Sequence, residues 1–169
     1  MIVNKKRLNV SENKGDFKME YEINEGTLAI IATKGAKSRV FEDTKEYIID
    51  STPFEIMDYS CRYYGSSFEG RKEGTKSILH VDYKVPIIVE GTNNLIFFPT
   101  TSPYLPGCSW ISLKDIYSFK EIKSSSTEIT FNNGKKVLLP VSKRMIENQV
   151  SRASRLDLIM RNRKLEKNS

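Results

Sequence analysis

Cysteine and histidine are almost missing from this chain of 169 residues, which holds two cysteines, Cys61 and Cys108, and one histidine, His80. Two thiols far apart in sequence exclude a disulfide scaffold. They fit a reducing cytosol, where each serves as a small buried apolar residue. One histidine and two cysteines fall short of a four-ligand zinc site. A Ser-His catalytic pair would have to use His80, which has no recognisable partner, so His80 is given neither role. Long apolar runs are missing too: none approaches the roughly 18 residues that cross a bilayer. The opening stretch, MIVNKKRLNVSENKGDF, is too polar for a signal peptide. The expectation is a soluble, cytoplasmic protein of one domain without membrane contact. A hydrophobic fraction of 38% and an aromatic fraction of 10% suffice to build a core.

Charge is present and unevenly placed. The net charge is +6, from 27 Lys and Arg against 21 Asp and Glu. Between Lys143 and Ser169 the cations are Lys143, Arg144, Arg152, Arg155, Arg161, Arg163, Lys164 and Lys167, against Glu147, Asp157 and Glu166. Nearly all the excess therefore lies in the last stretch of chain, which suits a polyanionic partner without requiring one.

Residues 1–16 carry Lys5-Lys6-Arg7 and read as a flexible arm, with structure beginning near Phe17. Tyr21–Ile23 and Thr27–Thr33 read as strands joined by Asn24-Glu25-Gly26, with weaker strands at Arg39–Phe41 and Tyr47–Asp50. Thr52-Pro53-Phe54-Glu55 is a capping box with proline at the first helical position. Phe54, Met57, Cys61 and Tyr64 then mark one face of a helix over about 53–64, ended by Gly65. A Gly/Ser-rich basic connector, Gly65 to Lys76, follows. Pro86–Glu90, Leu95–Phe98, Trp110–Leu113 and Tyr117–Ile122 read as strands, with a loop from Thr100 to Ser109. Glu128–Phe131 and Lys136–Leu139 flank Asn132-Asn133-Gly134, a strong hairpin signal. Ser142 caps a helix over about 143–163, with 164–169 as a tail. Ile146, Val150, Ala153, Leu156 and Met160 fall on its apolar side, and Arg144, Asn148, Arg152 and Arg155 on the other. The fold class is α+β: one domain over 17–163, mostly antiparallel sheet, with a middle helix and a long C-terminal helix.

The segment Gly65 to Lys72 has the outline of a phosphate-binding P-loop but not its chemistry. Arg71 stands where the loop needs lysine, and Lys72 where a hydroxyl should hold magnesium. It also misses the Gly-x-Ser-x-Gly elbow, because Glu69 takes the last glycine position. No pair of carboxylates stands out as acid and base. The segment does gather Arg62, Arg71, Lys72 and Lys76 with the hydroxyls Ser66, Ser67 and Thr75. Long cations, hydroxyls and close glycine backbone are the usual set for DNA phosphates. The plainer reading is a connector with surface charge. Tyr63, Tyr64 and Phe68 lie among these cations, where they could stack on bases, although Tyr64 falls on the core face. The arginine stripe of the last helix has its own plain reading, a solvated face.

The stretch Asp58 to Thr75, DYSCRYYGSSFEGRKEGT, resembles the signature of the competence transcription factor ComK family. Further matches follow in the family's order: Phe98-Pro99-Thr100, Cys108-Ser109-Trp110-Ile111-Ser112, Phe131-Asn132-Asn133-Gly134-Lys135 and Glu147-Asn148-Gln149-Val150-Ser151-Arg152. The resemblance runs from about Tyr21 to about Leu156. It implies a transcriptional activator of DNA-uptake genes that binds paired AT-rich boxes of double-stranded DNA, chiefly in the minor groove, as a dimer. RNA polymerase is a further candidate partner, and the work would be done at the nucleoid. On this resemblance Arg62, Arg71 and Lys72 make phosphate or groove contacts, and Ser66, Ser67 and Thr75 position the backbone. Lys76 belongs to the same cationic group. Asn148 and Arg152 contribute from the final helix. Arg144 and Arg155 share its basic face on periodicity alone. No cofactor, metal or catalysis is implied. Longer members continue past the final helix into a hydrophobic-basic tract that delivers them to an adaptor and protease. That tract does not occur in these residues, which leaves adaptor and protease control open for this chain. The competing expectation is a shortened paralogue that keeps the fold and modulates a relative through protein contact. Replacing Arg71 and Lys72 together separates the two: the DNA reading expects weaker, less salt-dependent binding with unfolding nearly unchanged.

Overall fold

The computed structural model describes residues 20–169, so the arm expected over 1–16 and the start near Phe17 lie outside the described residues. Its strands are β1 (Thr27–Ala32), β2 (Ser38–Glu42), β3 (Glu46–Ile49), β4 (Ile87–Glu90), β5 (Leu95–Pro99), β6 (Trp110–Ser112), β7 (Ile116–Lys123), β8 (Ser126–Phe131) and β9 (Lys136–Leu139). Its helices are α1 (Pro53–Tyr63), α2 (Phe68–Leu79) and α3 (Lys143–Lys167). The first six strands form one sheet in the order β3-β2-β1-β6-β5-β4, and the last three form a second, β7-β8-β9. All pairings are antiparallel. The α+β class expected from the sequence is the one found.

The larger sheet is the middle layer. Leu95 and Phe97 of β5 face one core, with Met57 and Cys61 of α1, Phe68 of α2, and Trp110. Ile96 and Phe98 face the other, with Ile129 and Phe131 of β8 and Ile146, Ala153 and Leu156 of α3. Because both faces are covered, β5 is buried at every position and reads as an unbroken apolar run. A register shift between Thr27 and Ala29 lets Leu28 and Ala29 of β1 share the second core.

Three expectations need correction. Tyr21–Ile23 is not a strand. The backbone groups of Ile23 are taken by α1 and its C-cap instead: its N–H donates to Ser60 Oγ at 2.9 Å, and its carbonyl accepts from the Tyr64 hydroxyl at 2.8 Å. The connector Gly65–Lys76 is mostly helix. Gly65 ends α1 at φ 86°, as expected, and Ser67 then caps α2 by accepting from Gly70 N at 3.0 Å. Gly70 and Gly74 weaken this helix intrinsically, so its stability comes from burying Phe68, Thr75 and Leu79. A Cβ at Gly70 would lie 3.0 Å from Ser66 Oγ and 3.2 Å from Ser67 Oγ, so the tight cap accounts for that glycine. The supposed tail from 164 continues α3 to Lys167. Lys164 holds this last turn on the β4–β5 turn, donating to Gly91 O and to Asn94 Oδ1.

Candidate nucleic-acid interface

The capping box at Thr52 sets the direction of α1, with Glu55 N donating to Thr52 Oγ1 at 3.2 Å and Thr52 N to Glu55 Oε2 at 2.8 Å. The far end of α1 meets α2 at a corner that collects seven of the expected residues, Arg62, Ser66, Ser67, Arg71, Lys72, Thr75 and Lys76. Asp58 organises it. One carboxylate oxygen accepts from Phe68 N at 3.0 Å, and the other from Arg62 Nε at 2.8 Å. Burial would raise the Asp58 pKa, but these two donors outweigh it and hold the carboxyl below the usual aspartate range. Arg62 is thereby tethered while its side chain stays exposed.

The other cations are also engaged. Arg71 is half-buried and lies back over the end of α1, with Nη2 donating to Tyr64 O at 3.5 Å. Its Nε is buried without a hydrogen-bond partner among the described residues. Lys72 donates to the Tyr104 hydroxyl at 2.9 Å, and that hydroxyl donates to Glu69 Oε1 at 2.6 Å. The bond to Tyr104 raises the Lys72 pKa. Lys76 pairs with Asp82 at 3.3 Å and Glu73 at 3.5 Å. Thr75 is 1% exposed and turned inward, so in this conformation it is removed from the surface set. The hydroxyl of Ser67 is occupied as the α2 cap. Ser66 is half-buried at the turn.

The second expected group lies on α3. Arg144, Asn148 and Arg155 are exposed, and Arg144 and Arg155 form no ion pair with another described residue. Arg152 does not join them. It is half-buried, donating to Tyr83 O at 2.8 Å and to Gln149 Oε1 at 3.5 Å. At about 100° per residue it sits about 80° around the helix from Arg144 and about 60° from Arg155, enough to turn it onto the loop after α2. Gln149, not anticipated from the sequence, is buried and donates to Pro99 O at 2.8 Å and Lys84 O at 3.0 Å. The corner and the α3 face are linked through α2, which packs on both α1 and α3.

Both cysteines are buried and free, as expected. Burial pushes the Cys61 thiol up to about 12 against the opposing charge of Arg71, and also raises Cys108. Neither is set up as a thiolate nucleophile at neutral pH. Among the described residues no cluster of three or more His, Cys, Asp or Glu could hold a metal ion. None of their helices is long and apolar enough to cross a membrane.

The sequence model of a protein family described as "ComK protein" matches residues 18–165. The chain belongs to the ComK family. A relative from Bacillus subtilis (strain 168), a competence transcription factor, is 38% identical over 145 residues, which cover 83% of this chain and 76% of that one. No solved structure matches.

Several ComK motifs of this chain act as fasteners. In Phe131-Asn132-Asn133-Gly134-Lys135, Asn132 Nδ2 donates to Lys114 O at 3.1 Å, Asn133 Nδ2 to Asp43 O at 3.0 Å, and Lys135 Nζ to Glu42 O at 2.9 Å. The β8–β9 hairpin is thereby bolted to the larger sheet. In Cys108-Ser109-Trp110-Ile111-Ser112, Ser109 Oγ accepts from Ala32 N at 3.0 Å and Trp110 is fully buried. Gln149 and Arg152 do the same for the loop after α2. Other ComK positions, among them Arg62, Tyr63, Asn148 and Ser151, are exposed.

Proposed function

We propose that this chain is a DNA-binding transcriptional activator of competence genes, recognising paired AT-rich boxes chiefly through the minor groove as a homodimer. RNA polymerase is its further partner, and it works in the cytoplasm at the nucleoid, with no catalytic step and no cofactor. The observation that carries this reading is the outer face of α3, where Arg144 and Arg155 stand exposed and without an ion pair among the described residues, in a chain of the ComK family. The relative named a competence transcription factor supports the same reading. An unpaired exposed guanidinium keeps its full capacity for phosphate, and each such contact releases counterions. Arginine is also the side chain drawn into a narrow A-tract groove. Asn148 lies between the two arginines on the same face. At the corner, Arg62 and Lys76 exchange Asp58, Glu73 and Asp82 for phosphates. Each pair has one well-exposed partner, and ion pairs at the surface contribute little, so a phosphate can replace the carboxylate. Arg71 and Lys72 support the corner from partly buried positions, and Ser66 is the hydroxyl left for a phosphate.

Fluorescence anisotropy at several fixed salt concentrations tests the reading. Two duplexes of equal length are compared, one with two A-tract/T-tract boxes and one GC-rich. The expected result is clear preference for the first, with a steep salt slope. One observation favours a second reading, a ComK-like module that acts by protein contact: three of the four corner cations, Arg62, Lys72 and Lys76, are already paired with carboxylates of the chain. That reading expects weak and equal binding to both duplexes.

A further inference from the structure

The loop between β5 and β6 was legible only as a loop, yet it is tightly built. Its base is closed by Thr100 N donating to Ser109 O at 2.9 Å and Ser109 N to Thr100 Oγ1 at 2.9 Å. Its tip is two linked turns, with Leu105 N donating to Ser102 O at 3.0 Å and Cys108 N to Leu105 O at 3.1 Å. Pro103 is buried and Pro106 restricts the backbone further. The Tyr104 ring packs against Phe54 and Phe68 at centroid distances of 5.6 Å and 6.1 Å, while its hydroxyl bridges Lys72 and Glu69. The tip is thus fixed to the first turns of α2. Leu105 at this tip is nevertheless 56% exposed and belongs to neither core. A rigid, preorganised apolar point held in water contributes little to the fold.

We propose that Leu105 is a wedge that enters the minor groove of the bound duplex and parts a base step, so that it helps select AT-rich sites. The inference rests on the DNA-binding reading above. Minor-groove proteins combine cations on the phosphates with apolar side chains, leucine and proline among them, set between base steps. Both parts meet here. Lys72 lies against Tyr104, one residue from Leu105, with its ammonium 5.2 Å from the ring centroid. The loop from Thr100 to Ser109 has no acidic residue, and the nearby Glu69 carboxylate is already taken by Tyr104 and Lys72. Lys72 thus offsets the one carboxylate bonded to the tip. The selectivity follows from chemistry. A G·C pair places an amino donor in the minor groove that leucine cannot satisfy, whereas an A·T pair does not. Steps such as TA are also the easiest to unstack.

The test uses the full chain and an AT-rich duplex in which 2-aminopurine replaces adenine at one position at a time. Binding is followed by anisotropy across several salt concentrations, and unstacking by 2-aminopurine fluorescence. For the unsubstituted protein we expect binding with a severalfold rise in fluorescence confined to one step of each half-site. Leu105→Ala should bind more weakly, lose that rise and narrow the preference for AT-rich over GC-rich duplex. Its salt slope should stay unchanged, because no charge is removed. Leu105→Met should restore the rise. Leu105→Gln, which keeps the bulk but not the apolar surface, should not, and it serves also if the alanine variant fails to fold. If the unsubstituted protein binds with no rise at any step, or Leu105→Ala keeps the rise, the wedge is overturned and the DNA reading survives. In that case the tip is a surface for a protein partner. If the unsubstituted protein binds no duplex, both fall.

Discussion

At the α1–α2 corner every cation has a carboxylate or a carbonyl within reach, whereas on the outer face of α3 Arg144 and Arg155 have none among the described residues. The two regions have similar cation chemistry and different physical states. At the corner, charge is used first to build the structure: Arg62 steadies Asp58, Asp58 holds the start of α2, and Lys72 anchors the loop tip through Tyr104. On α3 the building is done by the inner face, by Ile146, Gln149, Ala153 and Leu156, which leaves the outer face with no structural duty. A count of cations along the chain cannot make this distinction, because it does not see which anion each one meets.

The sharpest way to probe the division is across α3 itself. Gln149→Ala removes the donor shared by Pro99 O and Lys84 O and strands both carbonyls, which should cost about 2–4 kcal/mol in denaturant unfolding. Its exposed neighbour Asn148→Ala should leave unfolding within about 0.5 kcal/mol. At the corner, Arg71→Ala with Lys72→Ala should lower stability by about 1 kcal/mol through lost hydrogen bonds, alongside weaker DNA binding. That differs from the expectation of unchanged unfolding drawn from the sequence, and a Tm identical to the parent's would show that these bonds carry no weight. Arg144→Ala with Arg155→Ala should shift unfolding by less than about 0.5 kcal/mol. The same pair should reduce the salt slope of DNA binding by about 1.8, at about 0.9 per phosphate contact. A larger slope change from the corner pair than from the α3 pair would reverse the comparison.

The smallest effect concerns pH. Asp58 has a folded pKa below its unfolded value, so the unfolded chain binds the proton first as pH falls. Its contribution is complete above the ordinary aspartate pKa and is lost as pH falls through the lowered folded value. Asp58→Asn should therefore lose stability at neutral pH and flatten that part of the acid-unfolding curve. An acid limb unchanged by the substitution would remove Asp58 as the organiser of the corner.

Much was legible in local pattern. The capping box at Thr52, the stop at Gly65, the Asn-Gly hairpin and the apolar stripe of α3 are set by neighbours in sequence, whose short-range hydrogen bonds and helical spacing are visible there. The α2 helix was not legible, because its two glycines argue against a helix and only the burial of Phe68, Thr75 and Leu79 overrules them. Residues Tyr21–Ile23 look like a strand, yet the backbone groups of Ile23 bond to Ser60 and Tyr64, far along the chain.

The site divides in the same way. Its residue types and their concentration near Gly65 and in the last helix are properties of the sequence alone, as are the motifs that mark the family. Which cations remain free, that Thr75 turns inward, that Arg152 is a fastener and that Leu105 stands exposed at the end of a rigid loop were decided by tertiary structure. The reason is physical: periodicity orients a side chain about its own helix, but burial and ion pairing depend on what the rest of the fold brings against it.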